Sequence, residues 1–132
     1  MASSPSYAAL PRCGIAQVTV ANTARDGTGT LATVFTAAAT GSRIDAINLK
    51  ATGTTTAGMI RLFVHDGTTA RLLTELPVVA LTPAATLPSW EAQLNTNTMT
   101  QVLPIILPTG FSLRAATNNA ETFNVIALGG DF

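Results

Sequence analysis

The sequence predicts an all-β protein folded as one antiparallel sandwich, and three observations carry that expectation. After Gly14 most apolar residues alternate with polar ones, the period of a half-buried strand. Five of the seven prolines follow a leucine, at Pro11, Pro77, Pro88, Pro104 and Pro108. Proline cannot donate a ladder hydrogen bond and pushes its predecessor toward extended geometry, so it belongs at strand starts, edges and corners. Helical periodicity is missing: a run such as Ala37-Ala38-Ala39 is stopped at once by Thr40-Gly41.

Residues 1–14 are rich in Ser, Pro, Ala and Gly without periodicity and read as an extended N-terminal arm ahead of a sandwich domain at 15–132. Tyr7 and Leu10 are the arm's only sizeable apolar groups. Together with Pro11 they are its candidate contacts to a partner or a second subunit.

The first strand is expected at 15–20, where Val18 and Val20 alternate with Gln17 and Thr19, and the second, short and β-branched, at 31–36. The third, at 43–51, carries Ile44 and Ala46 on one phase, then Ile47, Leu49 and Ala51 on the other. One extra residue shifts all later side chains to the opposite face, so the slip predicts a β-bulge near Ala46. Residues 59–76 form the clearest unit. Ile60, Leu62 and Val64 alternate with Arg61, Phe63 and His65, then Asp66-Gly67-Thr68-Thr69 leads into a second run with Ala70, Leu72 and Leu76 in phase. Asp-Gly between two alternating runs signals a hairpin, because glycine takes the positive φ the turn demands.

Further strands are expected at 78–81, at 89–94 with Trp90, Ala92 and Leu94 in phase, at 102–107, at 111–115 and at 123–127 ahead of Gly129-Gly130. Eight or nine short strands at regular spacing fit a jelly roll. An immunoglobulin-type sandwich is the alternative, but its Cys…Trp…Cys framework is missing.

Composition narrows the function. The chain has 132 residues, enough for one domain. Charged residues are 11% of it, against about 25% in an average protein. Seven cations balance seven anions, so there is no cationic surplus to displace counterions from nucleic acid. No apolar run approaches the length that spans a bilayer as a helix. Cys13 is alone, which excludes an internal disulfide and a CxxC pair. The first residues lack the basic and apolar regions of a secretory signal, so folding is expected in a cytoplasm. Ala and Thr make up 44 residues and Lys only one. A surface so poor in charge suits burial against neighbours and predicts a homo-oligomer, a dimer or a trimer.

The parts of an enzyme are scarce. His65 is the single histidine, and no serine sits in a nucleophile elbow. Cys13 follows Arg12, a cation of the kind that activates thiols, but no base accompanies it. The seven carboxylates form neither a catalytic pair nor a calcium loop. Gly27-Thr28-Gly29-Thr30-Leu31-Ala32 matches the spacing of a dinucleotide fingerprint, yet a polar stretch precedes it and no helix follows, so it reads as a loop. No catalytic residue, metal or cofactor is expected. Trp90 reads as core. The polar turns at 95–98 and Asn118-Asn119 are the places where a sugar contact is conceivable.

Two strings point further. Lys50-Ala51-Thr52-Gly53-Thr54-Thr55-Thr56-Ala57-Gly58-Met59-Ile60-Arg61-Leu62-Phe63-Val64-His65-Asp66-Gly67 resembles small virion proteins of tailed bacteriophages. So does the end of the chain, from Leu107-Pro108-Thr109-Gly110-Phe111-Ser112-Leu113 through Asn118-Asn119-Ala120-Glu121-Thr122-Phe123-Asn124-Val125. The resemblance covers most of the chain after about residue 20 and consists of strand-and-turn strings rather than catalytic motifs. It implies a jelly-roll structural protein of the particle, of the capsid cement or decoration type. Such a protein binds the head exterior and stabilises contacts between copies of the major capsid protein. A tail-fibre or spike head domain that binds a host surface glycan is the alternative.

Overall fold

The computed structural model describes residues 9–95 and 103–132. It is an all-β sandwich of two antiparallel sheets, with no helix among the described residues. The strands are β1 (Leu10–Val18), β2 (Ala32–Thr36), β3 (Ser42–Ala51), β4 (Gly58–His65), β5 (Ala70–Val78), β6 (Glu91–Asn95), β7 (Ile105–Leu107), β8 (Ser112–Thr117) and β9 (Phe123–Asp131). One sheet has the order β1-β9-β3-β6, with β7 pairing β3 beyond the end of β6. The other has the order β2-β8-β4-β5.

The central strands fill the interior with one phase of their side chains. Ile44, Ile47 and Leu49 of β3, Ile60 and Leu62 of β4, Leu113 and Ala115 of β8, and Phe123, Val125 and Ala127 of β9 are all buried there. Trp90 joins them, edge-on to Phe123 with ring centroids 5.6 Å apart. The phase slip in β3 is a bulge: its register against β9 shifts between Ile44 and Ala46. That shift puts Ile44 and Ile47 on the same interior face. The hairpin is also where the alternation placed it. Gly67 at φ 97° carries the turn, while the Asp66 carboxylate accepts the Thr68 and Thr69 N–H groups at 2.9 and 2.8 Å. Those two bonds, before all else, hold Asp66 below the usual carboxylate range.

Three boundaries differ from expectation. The first strand begins at Leu10 rather than residue 15, so Leu10 to Gly14 of the stretch read as an arm run in register with β9, from Leu10 opposite Asp131 to Gly14 opposite Ala127. No alternation marks this entry because a proline and a glycine stand in it. A side chain at Gly14 would collide with the Val34 carbonyl and the Phe35 ring across the sandwich. Residues 78–81 are not a strand: Val78 ends β5, and Leu81 makes one isolated bridge to Thr55. Pro77 thus lies near the end of an edge strand, where a missing N–H costs nothing. The strand expected at 102–107 is three residues long, and Val102 lies outside the described residues.

Candidate functional site

A two-layer sandwich has two outer faces, and here they are treated differently. The outer face of the four-stranded sheet carries Arg61, Phe63 and His65 of β4, with Arg114 and Ala116 of β8 beside them. It is covered by the loop at 19–31. Ala21 bridges Thr117. The buried Asn22 gathers the loop, donating to the Thr28 and Thr30 carbonyls at 2.9 and 3.0 Å and accepting the Ala24 N–H at 3.0 Å. Leu31 closes over Phe63, Ala70 and Ala116, a small second core in which Phe63 is fully buried. A charge network seals the rim. Arg25 Nε donates to both Glu75 oxygens at 2.9 and 3.0 Å, and Glu75 also accepts Arg61 Nε at 3.2 Å. Arg61 is buried and reaches Asn118 Oδ1 at 3.2 Å. The hydrogen bond from Arg25, reinforced by the charges of Arg25 and Arg61, lowers the Glu75 carboxyl below its usual range.

The outer face of the five-stranded sheet has no such cover among the described residues. Alternation turns Pro11, Cys13, Ile15 and Gln17 of β1 outward, next to Asn124, Ile126 and Leu128 of β9. In register, Ile15 lies opposite Ile126, which faces Asn48 and then Gln93. Cys13 lies opposite Leu128, and Pro11 opposite Gly130, Arg43 and then Ile106. Ile15 is 71% exposed, Ile106 54% and Leu128 40%. A shallow hollow of about 360 Å³ lies along Ile15, Gln17, Asn124 and Ile126. One end of the face is polar, with Gln17 donating to Asn124 at 3.1 Å and Lys50 3.6 Å from Glu91. The aliphatic patch of Ile15, Ile126 and Leu128, with Ile106 beyond Arg43 and a border of Gln17, Asn124 and the Lys50–Glu91 pair, has the makeup of an apolar interface core with a polar rim.

Of the residues singled out in the sequence, Pro11 lies on this open face and Leu10, 62% exposed, stands next to it at the end of β1. Tyr7 is outside the described residues, as are Thr96, Asn97 and Thr98 of one candidate turn. Asn118 and Asn119 are spent on the fold, on Arg61 and on Thr56 and Ala57. Gly27 to Leu31 is a loop between strands, and Ala32 opens β2. His65 Nδ1 accepts the Gly67 N–H at 3.0 Å, so it does not donate to an orienting carboxylate as a triad histidine must. Arg12 is turned away from Cys13 to the Thr36 carbonyl, Asp131 and the Phe35 ring. Its partner Asp131 is held low by the Ser42 hydroxyl first and by Arg12 second.

Sequence reasoning missed Ile15, Ile126, Leu128 and Ile106. The signal was in β9, where the phase opposite Phe123, Val125 and Ala127 is itself mostly apolar. A strand apolar on both phases is one that expects cover on both faces.

No protein-family model matches the chain, and no curated protein does. Among solved structures it is similar to two crystal structures of a pentameric capsid protein isolated from metagenomic phage sequences, each at 21% identity and a TM-score of 0.43. The match covers 89% of this chain but 61% and 62% of those chains, so this chain spans about three-fifths of their length.

Proposed function

We propose that this chain is a non-enzymatic structural protein of a phage particle. In this reading it is a capsid cement or decoration protein that seats the open face of its five-stranded sheet on the outside of the head and ties major capsid subunits together. The observation that carries the reading is the difference between the two outer faces: one is closed by the chain's own loop, whereas the other, uncovered among the described residues, presents Ile15, Leu128 and Ile106 with the half-buried Ile126 between them. The interleaved sheet orders β1-β9-β3-β6 and β2-β8-β4-β5 support a jelly roll. The strings at 50–67 and 107–125 that resemble tailed-phage virion proteins support the particle. His65 and Cys13, both without catalytic partners among the described residues, support a role that is mechanical, with weak contacts summed over many copies.

The test is copy number, by quantitative mass spectrometry of purified virions scaled to the major capsid protein. A decoration protein is present in numbers comparable to the capsid subunit. A handful of copies would move the protein to the tail or a vertex, and none would refute the reading.

A further inference from the structure

Beside the loop that closes the four-stranded sheet there is an opening. Between loop residues 26–31, the β4–β5 turn and β8 lies a cleft of about 520 Å³, within the size range of small-ligand sites. Arg114 contributes to its wall from β8. Its Nε is anchored on Ser112 Oγ at 3.1 Å, and its two terminal nitrogens engage nothing among the described residues. Arg71 borders the cleft from the edge of β5, where its register opposite Val64 sets it on the other face of the sheet from Arg114. The open end of the Arg114 guanidinium is a fork that suits carboxylate or phosphate.

The cleft is not simply cationic. Asp26 lines it too, with Oδ1 accepting the Thr28 N–H and hydroxyl at 3.1 and 2.6 Å, which keeps the carboxyl ionised well below neutral pH and leaves Oδ2 open. The hydroxyls of Thr30 and Thr68 are uncommitted among the described residues. A bare anion would meet repulsion from Asp26, and a neutral sugar would leave the Arg114 fork without a partner. A ligand with a carboxylate for Arg114 and hydroxyls for Asp26, Thr30 and Thr68 satisfies both. We propose that this cleft binds a carboxylated sugar unit of the uronic-acid class. It lies on the sheet opposite the open face, so a copy docked by that face keeps the cleft free, and the inference does not depend on what the open face touches.

The test is an amide NMR titration of the full chain with glucuronate, glucose and acetate. Saturable shifts are expected for amides of 26–31 and 68–71 with glucuronate, with neither glucose nor acetate matching them. Arg114→Gln should weaken binding about tenfold or more, as loss of a charged hydrogen-bond pair does. Thr68→Ala, in the exposed β4–β5 turn, gives the same reading if Arg114→Gln fails to fold. Absence of saturable shifts in this cleft, acetate equal to glucuronate, or unchanged affinity in both variants would each overturn the proposal.

Discussion

The two outer faces of this sandwich start from the same problem and solve it differently. Each sheet carries apolar side chains on the phase that its partner sheet cannot bury. On the four-stranded sheet the chain supplies the cover itself: a loop gathered by Asn22, a small core around Phe63, and a rim of Arg25, Glu75 and Arg61. On the five-stranded sheet the row Ile15–Ile126 and its neighbour Cys13–Leu128 face outward, with nothing over them in the described residues. Apolar area removed from water stabilises by roughly 25 cal/mol per Å² whichever molecule does the covering. An intramolecular cover adds to folding, whereas a face left open reserves that free energy for association.

The sharpest way to break the comparison is to truncate matched apolar residues on the two faces. Phe63→Ala should cost about 3–5 kcal/mol in urea-denaturation stability, the penalty for emptying a closed apolar site. A loss below 1 kcal/mol, written here as a rough threshold, would mean that the loop does not seal its sheet.

An effect of intermediate size concerns the rim. The folded-state pKa of Glu75 lies below its unfolded value, so its contribution is present above the unfolded pKa and is lost as pH falls through the folded one. Stability should therefore drop on acidification below about pH 4, and Glu75→Gln should flatten that part of the profile while lowering stability at neutral pH. A variant with the wild-type profile would remove the rim from the account. The smallest effect belongs to the open face: Ile15→Ser should change monomer stability by no more than about 0.5 kcal/mol. A larger loss, dependent on protein concentration, would show that the face is already buried in a homo-oligomer.

How much of this was legible in the sequence depended on whether side-chain period or backbone pairing held a segment in place. The hairpin around Gly67 and the bulge near Ala46 are written in period-two patterns, because a misplaced phase there would expose Ile44 or Leu62. The entry of β1 is not, since Leu10 to Gly14 are held by their pairing with β9, and Gly14 is small because Val34 and Phe35 crowd it. The cover over Phe63 was equally hidden: the residue reads as the solvent phase of β4 until a polar loop from 19–31 folds back over it. On the open face Pro11 was singled out in advance as a contact, with Leu10 beside it, and Cys13 only as a lone thiol. The aliphatic residues that make up the patch come from three strands distant in sequence, and register alone brings them together.

Cys13 lies exposed on the open face next to Leu128, a reporter already in place. The rate at which a thiol reagent labels it, compared between free protein and purified particles, tests the docking face directly. If the five-stranded sheet seats on the shell, Cys13 labels rapidly in the free protein and is protected on the particle. Equal rates in both would contradict the account.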